Sequence, residues 1–293
     1  MSSNVKERLE IVKMDAPIGA EVRGVDLSQP LDAETFAQID DAYNRHTVLV
    51  FRDQKLTPEQ QIAFGARFGP LEIHVRHEYL LEGHPEILVV SNVLKPDGSF
   101  LGLPDAGQTW HTDTSYRTKP SRGSILYALE VPRNEAGEVL GNTLFAGTAP
   151  AYEALSPELK AKIDGKRAIH RYAVRKRPVG SQRAKLTAEQ LKETPDIAHP
   201  AVRTHPKTGR KALYLFEGEC IGLEGMPLEE GAELIAELTA HIIQPQFTYR
   251  HKWQQGDVIM WDNAASLHLA IADYALPQRR LMHRVTVEGG VPV

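Results

Sequence analysis

The chain has 293 residues, of which 42% are hydrophobic and 25% charged, and its formal net charge is −4. This composition is that of an ordinary soluble protein, and it gives no overall positive charge for binding nucleic acid. The apolar runs are too short to cross a bilayer, and the first residues contain no apolar signal-peptide core. The single cysteine, Cys220, excludes an internal disulfide and a multi-cysteine zinc site. We therefore expect a cytoplasmic protein that binds neither membrane nor nucleic acid.

The first part of the chain predicts short strands and two helices. Residues 9–31 are typical of strands separated by turns, and residues 32–45 show helical spacing with Asp32 as the N-cap. Residues 47–51 form a fully apolar run that predicts a buried strand. A second helix is expected to begin after Thr57, because Pro58 stands at its first position and Gln60 at the capping-box position.

The remainder predicts further strands around three helical stretches. A helix over residues 152–163 is interrupted at Ser156, where a new cap is expected, and another helix covers residues 229–243. Residues 178–200 are polar and poorly periodic, which predicts a long loop or lid. A turn at residues 205–210 indicates a hairpin. The other strands are expected at residues 87–90, 124–129, 143–146, 247–253, 258–261, 268–271 and 281–287.

Many short strands with a few helices predict an α+β fold that is mainly β, a curved antiparallel sandwich decorated by helices. No stretch has the composition of a linker, so we expect one domain over residues 1–293. One stretch is unusually basic, with Arg167, Arg171, Arg175, Lys176, Arg177 and Arg183. It is interpreted as a solvated loop in preference to a polyanion site, or as a segment over a cavity mouth that attracts an anionic substrate.

A candidate metal site lies in the segment that begins at Trp110. His111 and Asp113 are two residues apart, so in an extended strand both side chains would point to the same face. His268 follows a strand and turn over residues 256–263 that would deliver it to a sheet rim. Two histidines and one carboxylate form the facial triad of non-haem Fe(II) sites, which leaves coordination positions open. A structural zinc site would require a fourth protein ligand.

Two of the three arginines that follow His268 form a second candidate site. Arg280 and Arg284 are four residues apart, so in a strand both would face the same side. A guanidinium near a buried metal requires an anion, and its fork matches a carboxylate, which favours a dicarboxylate ligand. The alternative is that one arginine pairs with a structural acid such as Asp262 or Asp273.

Several motifs in this order resemble the TauD/TfdA family of Fe(II)- and 2-oxoglutarate-dependent dioxygenases, over nearly the whole chain from residue 19. The matching stretches are residues 19–27, 51–54, 68–71, 110–113, 142–144, 261–263, 268, 273–274 and 277–284. The resemblance implies a double-stranded β-helix core, also called a jelly-roll or cupin-like core, with flanking helices. It also implies hydroxylation of a C–H bond in a small anionic organic substrate, with succinate and CO₂ as co-products and O₂ as oxidant.

Carried over by position, the resemblance implies that His111, Asp113 and His268 bind Fe(II). Arg280 and the hydroxyl of Thr143 would then hold the distal carboxylate of 2-oxoglutarate. Arg284 matches the position that binds the anionic head of the substrate in sulfonate-oxidising members.

On the same basis His74 and His77 would contact substrate, although each could instead cap its own loop. Trp110 and Trp261 are expected to form cavity wall. Asn142 stands where the family has an acidic turn residue, and the interval from Asp113 to Thr143 is longer than usual.

The candidate substrates are sulfonates, sulfate esters, aryloxyalkanoates and similar carboxylates, and a homo-oligomer, dimer or tetramer, is expected from the resemblance. Two alternatives remain open at this point. One is a related oxygenase that desaturates its substrate, and the other is a non-catalytic metal- or anion-binding protein on the same fold.

Overall fold

The computed structural model describes residues 9–174 and 187–293. The helices are α1 (Ala33–His46), α2 (Pro58–Ala66), α3 (Thr148–Glu153), α4 (Pro157–Ile163), α5 (Ala188–Glu193) and α6 (Leu228–Ile242). Short 3₁₀ helices cover His77–Tyr79, Tyr172–Val174 and Pro245–Phe247. The strands of the first half are β1 (Glu10–Lys13), β2 (Ala20–Arg23), β3 (Val48–Phe51), β4 (Leu80–Leu81), β5 (His84–Ser91), β6 (Gly123–Glu130) and β7 (Thr143–Gly147). Those of the second half are β8 (Arg167–His170), β9 (Ile197–Pro200), β10 (Val202–Thr204), β11 (Lys211–Leu213), β12 (Cys220–Leu223), β13 (Thr248–His251), β14 (Val258–Asp262), β15 (Ser266–Ala270) and β16 (Leu281–Val287).

The strands pair mainly antiparallel in one large sheet and several small ones. The large sheet has eight strands in the order β1-β2-β3-β14-β6-β16-β5-β4, and the sheet that matters most for the site has the order β13-β7-β15. Only β2 and β3 pair parallel within the large sheet. The expectation of a mainly β fold with a few helices is therefore confirmed.

Alternating side chains of the large sheet serve two different cores. In β14, Val258 and Met260 join a cluster with residues of α1 and α2 on one face of the sheet. Ile259 and Trp261 point to the opposite face and pack with Phe145 of β7, because successive residues of a strand face opposite sides. The second core thus lies between the large sheet and the β13-β7-β15 sheet, and the candidate site lies at its edge.

The local signals in the sequence identify the helix starts correctly. Asp32 caps α1 by accepting a hydrogen bond from the Thr35 backbone N–H, and Thr57 and Gln60 form the predicted capping box of α2. Ser156 caps α4 after the predicted interruption. Among the described residues, no helix is both long enough and apolar enough to cross a membrane.

Two expectations about local structure are wrong. Residues 187–200 contain α5 and β9 where a loop was predicted, because β9 gains its hydrogen bonds from the distant strand β8. The rest of that predicted lid, residues 178–186, lies outside the described residues. The basic stretch, interpreted as a loop, begins instead with strand β8, which includes Arg167. Arg167 and Arg171 form exposed ion pairs with Glu224 and Asp196, and the other basic residues of the stretch lie outside the described part.

Candidate metal centre

His111, Asp113 and His268 lie together although they are far apart in the sequence. One ligand atom from each lies within 4.8 Å of the others, and all three residues are buried. The Nε2 atoms of His111 and His268 are 3.7 and 3.8 Å from the two carboxylate oxygens of Asp113. This group offers two imidazole nitrogens and one carboxylate to a single ion, the donor set of a facial triad.

Backbone pairing brings the two histidines side by side. His111 and His268 form an isolated antiparallel bridge, with N–H to carbonyl distances of 3.1 and 2.8 Å. His111 Nδ1 lies 2.7 Å from the Thr109 carbonyl oxygen. Since a carbonyl only accepts, that nitrogen carries the proton of the neutral ring, and Nε2 carries the lone pair that a metal requires.

His268 lies within β15, directly opposite Phe145 of β7, so both side chains project from the same face of the sheet. The Trp261 ring packs on the imidazole at 4.8 Å between centroids, as expected for a cavity wall. The expectation that His111 and Asp113 share an extended strand is wrong. His111 makes only the single bridge, and Asp113 begins a turn in which Thr114 has a φ of 51°.

The Asp113 carboxylate is held from two sides. Ser124 Oγ donates a hydrogen bond to one oxygen at 2.7 Å, and Arg284 Nη1 donates to the other at 3.0 Å. Burial acts to raise the pKa of Asp113, but the charge of Arg284, the two histidines and the Ser124 hydrogen bond outweigh it. The pKa therefore lies well below its usual value, and this carboxylate stays ionised as a metal ligand must.

The backbone around Asp113 is fixed by Asn263. The Asn263 Oδ1 atom accepts hydrogen bonds from the Asp113 N–H at 3.3 Å, the Thr112 hydroxyl at 3.2 Å and the Trp261 indole at 3.0 Å. Its Nδ2 donates to the Ser121 hydroxyl at 2.8 Å, which in turn donates to the Asp113 carbonyl at 3.2 Å. Asn263 belongs to the sequence motif of residues 261–263, but only its contacts in the fold identify its role.

Arg280 is buried, with 2% of its surface exposed. Within residues 9–174 and 187–293, its Nε atom has no hydrogen-bond partner and no carboxylate pairs with this guanidinium. The side chain packs on Gly141, where an added Cβ would lie 3.3 Å from Arg280 Cδ and 3.0 Å from the Tyr274 ring. Asp273, one of the suggested structural partners, instead accepts a hydrogen bond from the Gly141 N–H.

Thr143 and Arg284 lie on strands of the two sheets that enclose the second core, β7 and β16. Thr143 is the buried first residue of β7, two positions before Phe145, so both side chains face the same side. Arg284, on β16, pairs with Asp113 and not with the suggested Asp262, which bonds His205 at 2.6 Å. The role of Thr143 toward the co-substrate and that of Arg284 toward the substrate stay predictions.

The two loop histidines differ in their surroundings. His74 is half-buried, and its Nδ1 accepts a hydrogen bond from the Arg76 backbone N–H at 3.1 Å, which is a loop-capping contact. His77 is exposed at the start of its 3₁₀ helix. Substrate contact by either residue stays a prediction.

Glu72 is a further acid near the centre that the sequence analysis did not single out. It is buried, and its carboxylate accepts a hydrogen bond from Arg117 at 3.2 Å. Burial raises the pKa of Glu72 to about 7, opposed by Arg117 and Arg284 and reinforced by the charge of Asp113. No sequence pattern marks it, because the electrostatic neighbours come from distant segments.

Comparison with known proteins agrees with this geometry. Residues 10–286 match the model of the family described as "Taurine catabolism dioxygenase TauD, TfdA family". The chain is 35% identical to the alpha-ketoglutarate-dependent 2,4-dichlorophenoxyacetate dioxygenase of Cupriavidus pinatubonensis, over 91% of this chain and 93% of that protein. It is 33% identical to the alpha-ketoglutarate-dependent sulfate ester dioxygenase of Pseudomonas putida, over 97% and 91% of the two chains.

A solved structure shares the fold as well. The crystal structure of a taurine dioxygenase from Burkholderia xenovorans has a TM-score of 0.78 and 36% identity, covering 97% of this chain and 92% of that one. The matched region includes every residue of the His-Asp-His group and both arginines. With the motifs in order and the three candidate ligands gathered at one point, the chain belongs to the TauD/TfdA dioxygenase family.

Proposed function

We propose that this protein is an Fe(II)- and 2-oxoglutarate-dependent dioxygenase that hydroxylates a C–H bond of a small anionic organic substrate, with succinate and CO₂ as co-products. The observation that carries the proposal is the pairing of an open His-Asp-His group with a buried arginine that has no carboxylate partner among the described residues. The first suits a catalytic non-haem iron, and the second suits a dicarboxylate co-substrate.

The residues present fit an iron ion. His111 and His268 offer imidazole nitrogens, Asp113 offers an ionised carboxylate, and no fourth His, Cys, Asp or Glu joins the group in the described part of the chain. Such a set leaves open positions for co-substrate and dioxygen, and the iron, when bound, supplies the oxidative chemistry. The protein positions the metal-binding side chains, excludes water, and supplies the positive charges that hold 2-oxoglutarate and the anionic substrate.

The residues also fit 2-oxoglutarate. Arg280 would bind the distal carboxylate of the keto acid through its guanidinium, with the Thr143 hydroxyl as a second donor. A buried arginine without an anion is costly, so a carboxylate arriving at this position stabilises the site. Gly141 supports this arrangement because a larger residue there would press on the Arg280 side chain.

For the substrate we propose a small monoanion such as an aryloxyalkanoate, a sulfonate or a sulfate ester. Arg284 supports this class, since its Nη1 donates to Asp113 while its Nε atom has no hydrogen-bond partner in the described part of the chain. Two of the relatives described above are named for an aryloxyacetate and for sulfate esters. His74 and His77 are proposed as further substrate contacts by the family resemblance alone.

We also infer a double-stranded β-helix for the core, because two mainly antiparallel sheets face each other across the cluster that contains Phe145 and Trp261. A single domain over residues 1–293 is part of the same proposal. Assembly as a dimer or tetramer, a cytoplasmic location and the absence of nucleic-acid partners stay predictions.

The function is tested by supplying Fe(II), 2-oxoglutarate and one candidate anion at a time in air, and measuring succinate and the oxidised product. We expect one anion class to raise succinate release well above the rate without substrate, with one hydroxylated or cleaved product per succinate. His268→Ala should abolish both. A dehydrogenated product with the same stoichiometry would favour desaturation, and no succinate from folded, iron-loaded protein with any anion would favour a binding protein.

A further inference from the structure

Trp253 contacts the proposed co-substrate site through a hydrogen bond to Thr143. The side chain is completely buried, and its indole Nε1–H donates a hydrogen bond to the Thr143 hydroxyl oxygen at 3.1 Å. The contact follows from strand pairing, because His251 of β13 lies opposite Thr143 of β7, and Trp253 is two residues further along. No motif in the sequence assigns a role to Trp253.

The chemistry of the two groups fixes the direction of the Thr143 proton. An indole N–H can only donate, whereas a hydroxyl has one proton and two lone pairs. The Thr143 oxygen therefore uses a lone pair for Trp253, and its own proton must point to a different acceptor. Within residues 9–174 and 187–293 the Thr143 hydroxyl makes no hydrogen bond as a donor, and it is buried. A buried donor of this kind favours an acceptor that arrives with a ligand.

The nearby arginine identifies what that acceptor would be. Arg280 is buried without a carboxylate partner among the described residues, and its Cδ atom packs against Gly141, two residues before Thr143. A guanidinium and a hydroxyl donor on adjoining elements are complementary to one carboxylate. The His268 side chain projects from the same sheet face as Thr143, so this carboxylate would belong to a ligand that also reaches the metal centre.

We propose that Trp253 is a positioning residue for the co-substrate: it holds the Thr143 hydroxyl as a hydrogen-bond donor aimed at the distal carboxylate of 2-oxoglutarate. This rests on the proposed function. Without the indole N–H, the hydroxyl can rotate and present a lone pair, which repels an anion. Trp253 should therefore affect the affinity for 2-oxoglutarate through the distal carboxylate and not through the keto-acid end that chelates the metal.

The test compares two keto acids that differ only at that far end. In 2-oxopentanoate a methyl group replaces the distal carboxylate. This acid therefore tests all contacts of the site except those with the distal carboxylate. Anaerobic titrations with Fe(II) give the Kd of each acid for wild type, Trp253→Phe, Thr143→Val and the double variant. Loss of one hydrogen bond to a charged group predicts about tenfold weaker binding of 2-oxoglutarate by Trp253→Phe, with 2-oxopentanoate affected less than about twofold.

The double variant separates positioning from packing. If Trp253 acts through Thr143, the change Trp253→Phe should weaken 2-oxoglutarate binding by less than about twofold when valine already occupies position 143. Thr143→Ser keeps the hydroxyl, so it should retain most of the 2-oxoglutarate affinity that Thr143→Val loses. Equal losses for both keto acids, or independent effects of the two substitutions, would overturn the proposal and leave Trp253 as a packing residue.

Arg280→Ala distinguishes this failure from failure of the proposed function. If Arg280→Ala loses the preference for 2-oxoglutarate over 2-oxopentanoate while Trp253→Phe keeps the full wild-type preference, only the role of Trp253 is refuted. If wild type itself shows no preference between the two acids, the co-substrate site is refuted with it.

A measurement on wild type avoids dependence on a variant that fails to fold. With ¹⁵N-labelled tryptophan and Zn(II) as a diamagnetic substitute, the indole resonance of Trp253 should shift with 2-oxoglutarate and stay in place with 2-oxopentanoate. Assignment uses Trp110→Phe and Trp261→Phe, since the chain contains only these two other tryptophans. Equal shifts with both acids would contradict the proposal.

Discussion

Replacement of Asn263 by alanine tests whether the metal centre depends on the hydrogen bonds behind it. The side chain makes four hydrogen bonds, to Thr112, Asp113, Ser121 and Trp261, and only 1% of the residue is exposed. Two of these partners retain another bond. The Thr112 hydroxyl still reaches the carbonyl of residue 263 at 2.9 Å, and the Ser121 hydroxyl still reaches the Asp113 carbonyl at 3.2 Å.

The other two partners have donors that would be left buried without an acceptor, the Asp113 backbone N–H and the Trp261 indole. Each such donor costs about 1–3 kcal/mol, so the loss of both acceptors in Asn263→Ala should lower the free energy of unfolding by about 2–6 kcal/mol. Because the Asp113 backbone is released as well, the affinity for Fe(II) or Mn(II) should fall by about tenfold or more.

A matched control is available in Asn142→Ala. Asn142 is also buried, but its side chain makes only a 3.5 Å contact with the Val139 carbonyl among the described residues. Urea unfolding of the metal-free proteins and calorimetric titration with Mn(II) compare the two variants. If Asn263→Ala is no more destabilising than Asn142→Ala and binds Mn(II) like wild type, the argument that Asn263 positions Asp113 is refuted.

Two further predictions concern charged groups around the centre. Arg284→Ala should weaken binding of the coupled substrate by about 10- to 100-fold, because a charged hydrogen bond is lost, and binding of 2-oxoglutarate by less than about threefold. The control is Arg279→Ala at an exposed neighbour that pairs with Glu130, and it should change neither Kd. Equal losses of both ligands would contradict the separate roles of the two arginines. For Glu72, burial raises the pKa from 4.5 to about 7, so the folded protein holds this proton more tightly than the unfolded chain. The protonated carboxyl group therefore stabilises the folded state fully below pH 4.5, and this stabilisation is lost as the pH rises through 7. Relative to Glu72→Gln, metal-free wild type should lose up to about 3 kcal/mol of unfolding free energy across that interval, measured by urea unfolding at several pH values, and a difference that does not change with pH would contradict this.

The sequence predicted those parts of the fold that depend on neighbouring residues. The Asp32 cap, the Thr57 capping box and the Ser156 cap each join residues three positions apart, so the pattern and the structure contain the same information. The extended-strand argument for His111 and Asp113 failed because the partner of this segment is a single bridge to His268, which no local pattern specifies. The two residues nevertheless reach the same point through a turn.

Contacts that span the chain explain what the sequence left out. The Asp113 backbone bonds a side chain 150 residues away in Asn263, Arg284 reaches Asp113 across 171 residues, and Trp253 reaches Thr143 across 110. Residue spacing indicated the candidate ligands, and the family resemblance supported them, because they belong to short motifs. Residues that orient those ligands, such as Ser124 and Asn263, are defined by three-dimensional contacts, and their roles became visible only in the folded chain.

The most direct test of the central claim is an anaerobic titration of the metal-free protein with Fe(II) and then 2-oxoglutarate, followed by visible absorption. A keto acid that chelates Fe(II) through its keto and carboxylate oxygens gives a metal-to-ligand charge-transfer band. We expect this band in wild type, its loss in His268→Ala, and a much higher 2-oxoglutarate concentration to develop it in Arg280→Ala. Folded protein that binds one equivalent of Fe(II) but develops no band would contradict the claim that the His-Asp-His group and Arg280 form one co-substrate site.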